Sequence, residues 1–250
     1  TNGAVTGRMT HHSPNLAQVP SVSAPYGREC RSFWRVPEGH KLVGCDASGL
    51  ELRMLAHYMR DERYTNEILS GDIHTANMKA AGLTDRNQAK TFIYAFLYGA
   101  GAAKIGQIVG GGYREGQQLI DSFLRNTPAL AKLREKVAKH ATAGTLPALD
   151  GRRLRVRSEH AALNTLLQGA GAIVMKQALV LLADRLSTYD IPHKLVANVH
   201  DEFQIEVPEN FADVVGKAAV RAIKNAGDVL DLRCPLDAEY NVGNNWAETH

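Results

Sequence analysis

The sequence predicts an α+β chain, on two observations. Short apolar runs at 42–45, 195–199 and 203–207 have the length of strands, and the first two end at acidic residues. Longer stretches, above all 84–98 and 161–186, keep apolar residues at helical intervals. At 250 residues the chain is long enough to bury a core, as one large domain or two small ones. Its hydrophobic fraction of 44% is ordinary for a globular protein.

Taken in order, residues 1–20 are polar and turn-rich, broken by Asn2-Gly3 and Ser13-Pro14-Asn15. A strand follows within 33–51 and ends at Asp46. Leu52, Leu55 and Met59 then fall at helical spacing. Gly71-Asp72-Ile73-His74-Thr75 reads as a loop before another helix. At 84–98, Thr84 or Asp85 can cap a helix that Gly99-Ala100-Gly101 stops. Arg86, Lys90, Tyr94 and Tyr98 are four apart and share one slowly turning stripe, leaving Ala89, Phe92, Ile93 and Phe96 to pack. That stripe suits a nucleotide, and equally a surface helix with snorkelling cations. Short helices at 105–109 and 117–123 flank Gly110-Gly111-Gly112, and a longer one covers 128–140. Asp150-Gly151 between extended runs signals a hairpin over 145–156. A long apolar helix spans 161–186, with Asn164 and Gln168 one turn apart. Strand, acidic turn and strand follow over 194–207, then a helix at 210–226 and a final strand at 235–242.

Composition excludes several classes. Three cysteines are an odd number, and their spacing fits neither a zinc site nor a disulfide framework, which implies a reducing compartment. No signal peptide opens the sequence. The most apolar helix is interrupted by Lys176 and Gln177, against a membrane span. A net charge of +3 permits a nucleic-acid partner without requiring one. Two basic clusters, Lys132/Arg134/Lys136/Lys139 and Arg152/Arg153/Arg155/Arg157, suit phosphate contact as well as plain solvation.

The candidate chemistry lies in Asp46 and Asp201. Each follows an apolar strand, so each acid leaves the core where a cleft can form. If the two strands are neighbours, the carboxylates converge and repel unless cations lie between them. Hard oxygen ligands of this kind suit magnesium with substrate phosphates. Either acid alone also fits a helix cap or a hairpin turn.

Asp46-Ala47-Ser48-Gly49-Leu50-Glu51-Leu52-Arg53 and Val199-His200-Asp201-Glu202 resemble the two palm motifs of family A DNA polymerases, the first in its T7-like phage form. Arg86-Asn87-Gln88-Ala89-Lys90-Thr91-Phe92-Ile93-Tyr94-Ala95-Phe96-Leu97-Tyr98-Gly99 is similar to that family's fingers helix. Gly49 and Ala47 both agree with the T7-like group, whereas the stretch between Lys139 and Asp150 is much shorter than in it.

The resemblance implies a right-hand palm, an antiparallel sheet backed by helices, with a helical fingers subdomain. It places the first palm part and motif A at 1–60, fingers at 61–140, and the second palm part with motif C at 141–250. It also implies that the chain starts inside the polymerase domain, with thumb and exonuclease domain absent, and ends as the phage enzymes do. The implied activity is template-directed transfer of deoxynucleotides from dNTPs to a primer 3′-hydroxyl, with two Mg2+ ions ~4 Å apart. Asp46, Asp201 and the Ala47 carbonyl would hold the metal, with Glu202 as a weaker third acid. His74, Arg86 and Lys90 would hold the triphosphate, Lys90 also protonating pyrophosphate. Glu51 would exclude a ribose 2′-hydroxyl and Tyr94 would tolerate dideoxynucleotides. Arg8, Tyr98, Asn164, Gln168 and His200 would touch DNA, Asn164 and Gln168 reading acceptors common to every base pair in the minor groove.

Implied partners are primer-template DNA, dNTP and an N-terminal exonuclease–thumb chain or segment, with no membrane. The implied location is the cytoplasm of an infected bacterial host. The alternative is a DNA-binding or assembly subunit of a split polymerase, inactive without that partner.

Overall fold

The computed structural model describes residues 4–250, which form two compact units. One contains the described residues up to Leu50 together with Ala170–His250; the other is Glu51–Gly169. In chain order the elements are α1 (Gly27–Ser32), β1 (His40–Ala47), α2 (Leu50–Met59), α3 (Glu62–Leu69), α4 (Ile73–Ala81) and α5 (Arg86–Leu97). Then come α6 (Ala102–Ile108), α7 (Tyr113–Asn126), α8 (Pro128–Ala141), β2 (Thr145–Pro147), β3 (Arg153–Arg155) and α9 (Ala162–Thr188). The chain closes with β4 (Lys194–Val199), β5 (Glu202–Pro208), α10 (Ala212–Val229) and β6 (Ala238–Gly243). The molecule is α+β.

The first unit is built on a four-stranded antiparallel sheet in the order β4-β5-β1-β6. Its two faces differ because side chains alternate along a strand. Val43, Cys45 and Ala47 on β1, with Phe203, Ile205 and Val207 on β5, are buried on one face. Helix α10 packs on the sheet; its Gly216 lies so close to the Tyr240 ring of β6 that an added Cβ would sit 2.1 Å from it. The opposite face carries Leu42, Gly44 and Asp46 on β1, and Glu202, Gln204 and Glu206 on β5. A smaller apolar cluster of Leu42, Val199 and Trp246 covers part of that face, with Leu16, Ala17 and Val19 packed against it. On β1 and β5, polar residues thus collect on one side of the sheet and apolar ones on the other.

The second unit is helical around Phe92, Phe96 and Phe123. Phe123 meets Phe92 and Phe96 edge-on, with centroids 5.1 and 5.5 Å apart, a geometry worth ~0.5–1.5 kcal/mol per pair beyond area burial. Helix α5 buries Ala89, Phe92, Ile93, Phe96 and Leu97, so its stripe of cations and phenols points away from the core. Asp85 supplies the N-cap, accepting from the Asn87 amide at 2.7 Å. Gly99 ends the helix with φ +79°, and an added Cβ would lie 2.2 Å from the His160 carbonyl oxygen.

Several elements depart from the sequence reading. His74 lies in the first turn of α4, which Asp72 caps through the Thr75 amide at 3.2 Å, not in a loop. Helices α1 and α3 were not anticipated; α3 buries only Tyr64 and Ile68, too few to show a period. Helices α6 and α7 are longer than the sequence reading gave them, and Gly106 and Gly116 lie at their packed crossing. The stretch Glu159–Thr188 is long and apolar enough by length and composition to cross a bilayer, and most of its apolar window is buried inside the protein.

Candidate active site

Asp46 and Asp201 are brought together by β1 and β5. In the antiparallel register Asp46 pairs with Glu202, and the Ala47 amide donates to the Asp201 carbonyl at 3.0 Å. The β4–β5 connection is only His200 and Asp201, with His200 at φ +57°, so Asp201 sits at the hairpin tip beside the end of β1. After Ala47 the chain turns through Ser48 and Gly49 into α2; Gly49 has φ +59°, which a residue without Cβ adopts freely.

The electrostatics follow from three acids on adjoining strands. The Asp46 carboxylate reaches solvent, yet the protein around it removes much of its hydration. That desolvation, then the charges of Asp201 and Glu202, push the Asp46 carboxyl up to about 7. Among the described residues it makes no ion pair. Burial likewise raises Asp201, although the nearby Arg8 charge opposes the shift. Arg8 and His200 border one small cleft with Lys176 and Asn198, and desolvation followed by the Arg8 charge lowers the His200 pKa.

Glu202 behaves differently. It is 3% exposed, and its carboxylate accepts from Trp246 Nε1 at 2.7 Å, from Gln204 Nε2 and from His250 Nδ1. Burial alone would raise its pKa, but these donors outweigh burial and hold it below the usual range. In return, the hydrogen bond to Glu202 raises the His250 imidazole above its ordinary value. Gln204 and Trp246 were not connected to the site from sequence. The signal was present: Glu202, Gln204 and Glu206 alternate on one strand face, as a polar row opposed to Phe203, Ile205 and Val207.

In the second unit, Arg86 and Lys90 are exposed along α5, with Tyr94 half-buried and Tyr98 exposed beyond them. The Tyr94 ring lies 6.4 Å from both the His74 and Tyr98 rings. Desolvation, then the charges of Arg86 and Lys90, lower the His74 pKa, so the imidazole is neutral near pH 7. Arg86 Nε reaches the Asp72 carboxylate at 3.4 Å. Tyr98 donates its hydroxyl to the Glu51 carboxylate, with oxygens 3.0 and 3.2 Å away. Asn164 and Gln168 are half-buried one turn apart on α9.

The donor set around Asp46 fits a divalent cation. Two carboxylates lie together with raised pKa values, and Asp46 makes no ion pair among the described residues. Among the described residues no cluster of three or more His, Cys, Asp or Glu side chains is arranged to hold a metal. A pair of carboxylates is a donor set that Mg2+ can take when water and substrate oxygens supply the remaining ligands.

Asp201 at the tip of an antiparallel hairpin thus stands beside Asp46 on the neighbouring strand, and comparison with known proteins shows the class to which such a chain belongs. The chain belongs to DNA polymerase family A, whose model matches residues 1–248. It is similar to the DNA-directed DNA polymerases of Escherichia phage T7, at 45% identity, and Enterobacteria phage T3, at 44%, over 100% of this chain and 40% of each relative. The chain thus spans about two fifths of the length of these curated relatives. In fold it is similar to the POL domain of Pol1 from M. smegmatis, solved in complex with DNA primer-template and dNTP. The TM-score is 0.88 at 24% identity, covering 98% of this chain and 47% of that one.

Proposed function

We propose that this chain carries the nucleotidyl-transfer centre of a template-directed DNA polymerase, joining deoxynucleotides from dNTPs to a primer 3′-hydroxyl. The observation that carries the reading is the juxtaposition of Asp46 and Asp201 by register, with the Asp46 carboxyl destabilised as an anion. Two Mg2+ ions, held by Asp46, Asp201 and the Ala47 carbonyl, would supply acidity at the primer hydroxyl and neutralise the triphosphate.

The chain's own groups do the rest. His74, being neutral, donates a ring N–H to a phosphate oxygen without adding a charge of its own. Arg86 leaves Asp72 to grip phosphate as a fork, and Lys90 adds a point charge and a proton for departing pyrophosphate. Glu51, held by Tyr98, fills the space a ribose 2′-hydroxyl would need. Tyr94 contributes a ring for the base and sugar. Arg8, His200, Asn164 and Gln168 contact the primer-template. Positioning and electrostatics of this kind carry most phosphoryl transfers.

The similarity to phage enzymes supports a place in the cytoplasm of an infected bacterium. A second reading is a DNA-binding or assembly subunit that is silent until joined to an exonuclease–thumb chain or segment. Extension of a labelled primer by the full chain, with and without the remaining portion of a T7-like polymerase, separates the two. Extension by the chain alone rules out the silent subunit; extension only after complementation supports it; none in either condition contradicts the polymerase reading.

A further inference from the structure

Glu202 is tied from three sides, and two of its partners belong to a wider frame. Trp246 Nε1 donates to Glu202 Oε1 at 2.7 Å, and Gln204 Nε2 donates to the same oxygen. The amide of Gln204 is itself oriented, because Thr249 Oγ1 donates to Gln204 Oε1 at 2.8 Å. The Trp246 ring is held by the buried Arg31 guanidinium, 4.2 Å above its centroid, while Arg31 Nε donates to the Pro20 carbonyl at 2.8 Å. Close approach is built into β1: a Cβ on Gly44 would sit 2.3 Å from the Thr249 carbonyl oxygen and 2.6 Å from Gln204 Nε2. The side chains of Arg31, Glu202, Gln204, Trp246 and Thr249 are all buried, and Glu202 accepts from both Trp246 and Gln204.

With its oxygens taken by protein donors, Glu202 is a poor candidate for direct ligation. It nevertheless stands opposite Asp46 in the strand register and next to Asp201 in sequence. A carboxylate fixed there acts on the aspartate pair through its charge, and charge acts strongly where water is excluded.

We propose that Trp246 and Gln204 are positioning residues, holding Glu202 as a fixed buried anion behind Asp46 and Asp201 so that it strengthens their grip on a divalent cation by charge and not by ligation. The proposal rests on the nucleotidyl-transfer reading only for the identity of the cation.

The test is calorimetric titration of the full chain with Mn2+ alone, in the parent, Trp246→Phe, Glu202→Gln and the double variant, each with a thermal melt. Asp46→Asn marks which binding belongs to the site. Trp246→Phe keeps the ring and its stacking on Arg31 but loses the N–H. We expect it to weaken Mn2+ binding about tenfold, the effect typical of losing an outer-shell partner. Glu202→Gln should weaken binding at least as much, and the double variant should match Glu202→Gln. Parent-like binding by a well-folded Trp246→Phe, or effects that multiply in the double variant, would overturn the proposal. Should Trp246→Phe not fold, Gln204→Met removes the other donor and is judged by the same outcomes. If the parent shows no Mn2+ binding that Asp46→Asn abolishes, the cation site fails along with the proposal. Parent binding with undisturbed variants sinks the positioning role alone.

Discussion

At Asp46 the fold works against itself. The carboxyl has its ordinary value of 3.8 in the unfolded chain and about 7 in the folded one, because burial and the Asp201 and Glu202 charges disfavour the anion. Between those values the folded state binds a proton that the unfolded state releases. Stability without divalent cations therefore falls as pH rises from about 4 to about 7. Asp201, raised in the same direction by burial, adds to this slope. Scanning calorimetry in chelator should show Asp46→Asn melting above the parent at pH 8, with a flatter decline through that window. Magnesium should raise the parent's melting temperature by mass action and hardly move the variant's. A parent indifferent to magnesium would tell against a cation site.

A second residue-scale expectation concerns Glu51. Its carboxylate accepts from the Tyr98 hydroxyl at 3.0 Å in an exposed position, where a hydrogen bond contributes ~0.5–1.5 kcal/mol net. Glu51→Ala should relax the preference for deoxynucleotides most. Tyr98→Phe, which removes the hydroxyl's hydrogen bond to Glu51, should relax it by roughly tenfold or less, since 1.4 kcal/mol is a factor of ten. The ratio of ribo- to deoxynucleotide incorporation measures both, and an unchanged ratio in Glu51→Ala would remove Glu51 from the specificity account.

At the scale of elements, α6 and α7 cross with almost no space between their backbones. A Cβ on Gly116 would lie 1.8 Å from the Ala102 carbonyl oxygen and 2.6 Å from the Gly106 amide nitrogen. Backbone cannot yield as a flexible side chain does, so Gly116→Ala should destabilise by about 1–3 kcal/mol or more, the usual range for overpacking. Urea unfolding should show the loss, with amide exchange quickening first in α6 and α7; parent-like stability would mean the crossing is looser than described. Both helices read short in the sequence, and only the packed structure shows what Gly106 and Gly116 are for. Helix α5 was legible because its buried positions, its Asp85 cap and its Gly99 stop all agree. The hairpin over 145–156 was legible from Asp150-Gly151, but its turn is longer than two residues, closed by the Ala148 amide on the Arg152 carbonyl at 2.8 Å and an Asp150–Arg152 ion pair. The Glu202 frame was not legible, since it depends on residues some 220 positions apart, from Pro20 to Trp246, meeting on one sheet face.

For the whole molecule, the sheet order β4-β5-β1-β6 matters most. Sequence could place each acid at the end of a strand, but it could not pair strands separated by some 150 residues; convergence was conditional on their being neighbours. The fold meets that condition by putting β1 directly against β5. The chain's net charge of +3 and its exposed arginines on β3 then suit a polyanionic partner, which the proposed function takes to be primer-template DNA. The most direct test of that account is incorporation of a single labelled deoxynucleotide into a primed template, in the presence of the remaining portion of a T7-like polymerase. The parent chain should incorporate it in Mg2+, while Asp46→Asn and Asp201→Asn, folded and bound to DNA as the parent is, should lose incorporation by several orders of magnitude. Incorporation by either variant at the parent's rate would contradict the claim that these two aspartates form the centre of the reaction.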